Sequence, residues 1–185
     1  MLYTLYTREI KLTFKRYVIS LAMRASIGVF IRRSKKMYSA EYISEWFLAR
    51  NRQDIINGSD ESISNLKLQK LLYYAQGCVL ALTGKPLFGD EIQAWTHGPV
   101  VPNIYRKYKE NGSCGINYDG CFDYKKIDKA TESILEEVYE EFGQFSAWKL
   151  RNMTHEEKPW QETAKNGVIS TDSIKKYFEE NYLEN

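Results

Sequence analysis

The sequence predicts a mainly α fold: a compact helical domain around a central hydrophobic helix at about residues 64–83, with a small antiparallel β element. Three observations lead there. At 185 residues the chain is sized for one domain with a real core. Its 43% hydrophobic and 27% charged residues are those of an ordinary soluble protein rather than a disordered one. Most apolar residues recur at helical spacing, and no apolar run reaches the ~18–20 residues of a membrane-spanning helix.

The formal net charge of +2 conceals an asymmetry. Residues 1–36 hold nine Lys/Arg and one acid, whereas 37–185 hold 26−9=17 basic and 24−1=23 acidic residues, so +8 is followed by −6. We therefore divide the chain into a basic extension, 1–36, and a domain, 37–185. Within 7–25, Ile10, Phe14, Tyr17, Val18, Leu21 and Ala25 make an apolar stripe, with Arg8, Lys11 and Lys15 off it. Such a segment suits an anionic membrane surface, a targeting sequence or a nucleic-acid arm, and membrane contact through residues 7–31 requires that 1–36 be retained. The reading favoured here is that translation begins at Met37.

The elements follow in order. Ser39 is suited to cap a first helix carrying Tyr42, Ile43, Trp46 and Phe47 and ending near Arg52. Ile56-Asn57-Gly58-Ser59-Asp60 is a loop, and Ser64 caps the central helix, with Leu68, Leu71, Leu72, Ala75, Cys78, Val79 and Leu82 on one face and Gly84 as its stop. Glu91–Trp95 alternates as a short strand that Gly98-Pro99 ends. A helix begins near Pro102, with Ile104, Tyr105 and Tyr108 inward, and closes at Asn111-Gly112. Asp119-Gly120, between 116–118 and 121–124, predicts a type I′ hairpin. Asp128 caps a helix buried through Ile134, Leu135, Val138, Phe142 and Phe145. Ser146 opens a short helix through Leu150, Thr154 and Glu157 match a capping box, and a new helix starts at Pro159. The last helix runs from about Thr171 to Tyr182.

Chemistry is sparse. Cys78, Cys114 and Cys121 form no CxxC or zinc-spaced cluster, so the sequence implies reduced cytoplasmic thiols, no metal and no cofactor. His97 and His155 are the acid/base candidates for a hydrolase or transferase, but no nucleophile or oxyanion hole accompanies them, and each is better explained as a packed structural residue. The acidic body and the lack of GxxxxGK[ST] or GxGxxG argue against nucleic-acid binding by residues 37–185. Fourteen tyrosines and four tryptophans favour a protein partner.

Three segments resemble the Panacea domain, the SocA-like antitoxin group of bacterial and phage type II toxin–antitoxin systems, also described as phage-associated proteins. Ile63-Ser64-Asn65-Leu66-Lys67-Leu68-Gln69-Lys70-Leu71-Leu72-Tyr73-Tyr74-Ala75-Gln76-Gly77 looks like the family's signature helix. Gly84–Phe88 with Glu91–Tyr105 is similar to its tryptophan, glycine-proline-valine and tyrosine block, and Leu150–Trp160 to its threonine-histidine and proline-tryptophan block. The resemblance implies a helical fold with a small β element, no enzymatic activity, and neutralisation of a toxin encoded next door. For the SocA type it also implies an adaptor role, delivering the toxin to an AAA+ protease. His97 stands where the family usually has an aromatic residue, and no helix-turn-helix attachment is recognisable. Lys70, Trp95, His97, Tyr105, His155 and Trp160 are the expected partner-binding residues. Leu68, Leu71, Tyr73, Gly98, Pro99, Val100, Thr154 and Pro159 are expected to be structural.

Overall fold

The computed structural model describes residues 36–59 and 61–183. The basic stripe at 7–25 and the proposed start at Met37 therefore turn on residues that lie almost entirely outside the described part. Helix α1, Ala40–Ile56, begins where Ser39 Oγ accepts from the Tyr42 amide at 3.1 Å. It continues past Arg52, with Arg50 bonded to Asp54 one turn on and to Glu136 at 2.9 Å.

Helix α2, Asn65–Thr83, is the centre of the molecule. The Ser64 hydroxyl caps it, and Gly84, at φ 72°, ends it in the left-handed region. The sequence implies a broad apolar face; the structure buries every residue from Asn65 to Leu80 except Leu66. Neighbours cover it on all sides: α4 (Lys129–Gly143), α5 (Ala147–His155) and α7 (Thr171–Phe178), with the β hairpin and α1 closing the rest. Each fully buried leucine of α2 contributes about 1.5–3 kcal/mol by leaving water.

All-round burial leaves the polar residues of α2 to find partners inside, and its amide side chains find backbone. Gln76 Oε1 accepts from the Leu87 and Phe88 amides at 2.8 and 3.2 Å, and its Nε2 donates to the Phe88 carbonyl. Gln69 Oε1 accepts from the Val101 amide at 2.9 Å. Asn65 donates to the Tyr105 carbonyl at 3.0 Å. Helix α2 thus holds the irregular chain between 87 and 105 in place.

That stretch contains the β element. Strands β1, Gln93–Trp95, and β2, Gly98–Val100, pair antiparallel with Trp95 opposite Gly98 and Gln93 opposite Val100. Gly98-Pro99 therefore does not end the strand as expected; it begins the second one, and the reversal falls on Thr96-His97. The outer edge of β1 bonds to the segment before α7, Asn166 N to Ala94 O at 2.7 Å and Ile169 N to Ile92 O at 2.8 Å. Helix α3, Pro102–Tyr108, follows at once and runs into a 3-10 turn over Lys109–Asn111, which Gly112, at φ 55°, closes.

Two further expectations are corrected. No hairpin forms at 116–124: Gly120 is absent from the positive-φ glycines, so the type I′ geometry is not adopted, Ile116 N donates to Ile63 O at 2.8 Å, and Phe122 packs on Tyr42. Tertiary contacts outweighed the local turn preference. Thr154 and Glu157 form no capping box, because α5 runs through Thr154, whose hydroxyl donates to the Arg151 carbonyl at 2.8 Å. Glu157 precedes α6 (Lys158–Gln161) without a side-chain cap and turns its carboxylate into the core. There it accepts from the hydroxyls of Tyr73 at 2.7 Å, Tyr182 at 2.8 Å and Tyr74 at 3.3 Å. Burial, reinforced by this carboxylate, holds all three phenols well above their ordinary range. The last helix stays α only to Phe178 and finishes as a π turn through Glu179–Leu183, which seats Tyr182 on the Glu157 carboxylate.

Candidate functional site

The three sequence blocks, separated by dozens of residues, meet at the β1–β2 turn. Lys70 of α2 is fully buried and donates from Nζ to the Pro99 carbonyl at 2.7 Å. Gly98 sits directly against it at φ 96°, a backbone that L side chains rarely adopt. A Cβ on Gly98 would lie 2.7 Å from Thr154 Oγ1 and 2.8 Å from Lys70 Nζ. Lys70, Gly98 and Thr154 therefore form one close contact among helix α2, strand β2 and helix α5. Lys70, expected to face a partner, instead underpins the turn from inside. Burial, and next the charge of Arg151, keep its amine well below the usual lysine range.

Over this contact lies a layer of aromatic side chains. Trp95 meets Tyr105 edge-on at 5.0 Å, and His97 meets Trp148 edge-on at 5.7 Å. His155 stacks on Trp160 at 3.8 Å, and the Trp160 indole donates to the Trp95 carbonyl at 3.0 Å. Arg151 reaches over the Trp148 ring at 5.7 Å. Trp95, His155 and Trp160 are half-buried, whereas His97 and Tyr105 are exposed, Tyr105 against the expectation that it points inward. Leu68, Leu71, Tyr73, Gly98, Pro99, Val100, Thr154 and Pro159 all lie buried.

Two cavities flank Trp95. One, about 540 Å³, has Trp95, His97, Tyr105 and Lys109 in its wall. The other, about 470 Å³, is bordered by Trp95, Arg151, His155, Trp160 and Lys165. The two histidines thus line separate cavities, which leaves an acid/base pair without a shared cleft. His155 is in addition held neutral: burial first, then Arg151, Lys70 and His97, bring it down to about 4. Among the described residues no group of three His, Cys, Asp or Glu side chains is placed to hold a metal ion.

Trp148 and Arg151 were missed as site residues in the sequence, although the signal was present. Trp148, Arg151 and His155 fall at i, i+3 and i+7 on α5, along one face. A tryptophan 60% exposed on a nine-residue helix is unlike the three other tryptophans, which pack inside or against the body. Exposure itself is a tertiary property that no spacing reveals.

The fold and this face define a mainly helical domain, built on a fully enclosed helix, that displays a joined patch of tryptophan, tyrosine, histidine and arginine. Comparison with known families specifies it further: the chain belongs to the SocA-like antitoxin family with the Panacea domain, whose model matches residues 68–161, from the first turn of α2 to the end of α6. It is similar to Antitoxin SocA of Caulobacter vibrioides (strain NA1000 / CB15N), 51% identical over 53 residues. The matched stretch covers 29% of this chain and 28% of that relative, little more than a quarter of its length. No solved structure matches the chain. Among the described residues no helix is long and apolar enough to cross a membrane.

Proposed function

We propose that this member of an antitoxin family binds and neutralises, in the cytoplasm, a toxin protein encoded in the same operon, through the face formed by the β1–β2 turn, α3 and α5–α6. One observation carries the reading: three segments far apart in sequence converge on a single exposed aromatic patch supported from below by Lys70, Gly98 and Thr154. Trp, Tyr and Arg are the residue types that most often anchor protein interfaces, and all three occur there. An interface of standard size takes ~20–30 residues per side, so the patch is its centre and not its whole extent. Delivery of the toxin to an AAA+ protease rests on the family resemblance alone, and no residue of the face adds to it.

The test is co-expression with the protein encoded beside it. That neighbour should arrest growth alone and be tolerated when this chain is supplied; a harmless neighbour, or unrelieved toxicity, removes the reading. Trp148→Ala should weaken the complex by more than about 1 kcal/mol while leaving the melting temperature near wild type, since the side chain is mostly in solvent.

A further inference from the structure

The cavity on the α5–α6 side of Trp95 differs electrostatically from the rest of the domain. Residues 37–185 carry 23−17=6 more acidic than basic side chains. The wall of this cavity nevertheless holds Arg151, His155 and Lys165 and no carboxylate. The Arg151 guanidinium donates to the Asn152 side-chain oxygen at 2.9 Å, and its Nε is buried with no acceptor among the described residues. Nε2 of His155 is likewise buried and without a partner. Lys70 lies behind them, bonded to a neutral carbonyl. Lys70 and Arg151 both act on His155 in the same direction, and no acid opposes them. The fold therefore sets the charges of Arg151 and Lys165 in one wall with no acid among its lining residues, in a protein with acids to spare.

We infer that this cavity is the docking site for a carboxylate, the side chain of an aspartate or glutamate on the toxin, received by Arg151 and Lys165 between the Trp95 and Trp160 rings. The inference rests on the reading of the chain as a toxin-binding antitoxin and specifies the chemistry by which the toxin is held. A guanidinium whose hydrogen bond goes to a neutral amide oxygen, and which is given no carboxylate partner by the fold, matches a carboxylate in shape as well as charge. An extended polyanion such as a nucleic acid would meet the acidic remainder of the surface, whereas one carboxylate on a protein partner meets only the pocket. The neighbouring cavity beside Tyr105 lies across Trp95, within reach of an adjoining residue of the same toxin segment.

The experiment uses the full chain and the toxin encoded beside it. Arg151→Gln and Lys165→Gln should each weaken the complex about tenfold or more, Arg151→Lys less, and Lys176→Gln, outside the pocket, not at all. Melting temperatures near wild type show that the variants fold, and Lys165, being exposed, keeps the test valid if Arg151→Gln does not. Treating the complex with a water-soluble carbodiimide should join Lys165 Nζ to an aspartate or glutamate of the toxin, the carboxyl oxygen leaving on the carbodiimide as a urea, as an amide found by peptide mapping. A complex of unchanged affinity with both glutamine variants, or one in which Lys165 couples to no toxin carboxylate, overturns the inference and leaves the antitoxin reading standing. Absence of any complex with the wild-type chain overturns both. Excess inorganic phosphate that shifts the resonances of Arg151 and Lys165 without weakening the complex marks a free-anion site, which also overturns it.

Discussion

Replacing Gly98 with alanine tests the contact on which the face is built. Two costs add. The residue sits at φ 96°, and holding an L side chain in left-handed backbone costs about 1–2 kcal/mol. The new Cβ would also stand 2.7 Å from Thr154 Oγ1 and 2.8 Å from Lys70 Nζ, and relieving such overpacking costs about 1–3 kcal/mol more. Lys70 could swing aside at its tip, but it is fully buried and would leave the Pro99 carbonyl. The sum, about 2–5 kcal/mol, is a large share of the 5–15 kcal/mol that typically separates folded from unfolded protein. Equilibrium unfolding in urea measures it, with Gly58→Ala as the reference, because Gly58 has φ 101° but nothing within 4 Å of its would-be Cβ. Gly98→Ala should cost at least about 1 kcal/mol more than Gly58→Ala. In a Thr154→Ala background, which removes the nearer atom, part of that difference should return as a coupling energy. Equal losses at the two glycines, or strict additivity with Thr154→Ala, would refute the steric argument.

Three further outcomes are expected. Gly77→Ala, in the middle of α2, gains about 1 kcal/mol by helix propensity, but its Cβ would fall 2.3 Å from the Phe178 ring, so the protein should lose stability and Phe178→Leu should restore part of it. Tyr73→Phe removes a hydroxyl donated to the buried Glu157 carboxylate and should cost about 1.5–3 kcal/mol in the same unfolding assay. His155 should titrate near pH 4 in the folded chain by proton resonance, against 6.5 in the unfolded one. As pH falls the unfolded state therefore takes up its proton first, so the stability this residue contributes is complete above pH 6.5 and is lost between 6.5 and 4. His155→Phe should flatten the dependence across that window, and an unchanged slope would contradict the assignment.

How far the sequence was legible varied with the range of the interactions involved. The side-chain oxygens of Ser39, Ser64, Asp128 and Ser146 act over three residues, and each caps the helix expected of it. Gly84 likewise ends α2 where its lack of a Cβ predicted. The failures came where a local preference met a distant partner. Asp119-Gly120 had the chemistry of a turn, but Ile116 was claimed by Ile63 and Phe122 by Tyr42. Glu157 had the spacing of a capping residue, but three tyrosine hydroxyls, two from α2 and one from the final turn, took its carboxylate. Most of the candidate site was visible as residue types in three blocks. Its depth was not: Lys70, expected to face a partner, lies at 0% exposure, since a helix covered on nearly every side buries its lysine along with its leucines.

The sequence by itself determined the mainly helical class, the central position of residues 64–83 and the family, because period, caps and block order are all properties of the chain read in line. Only the tertiary structure decided which polar residues support and which are displayed. A buried amine or carboxylate must find its hydrogen bond wherever the packed fold offers one, and that choice places Lys70 under the turn and Glu157 among the tyrosines, while packing leaves Trp148 exposed with Arg151 half-buried beside it.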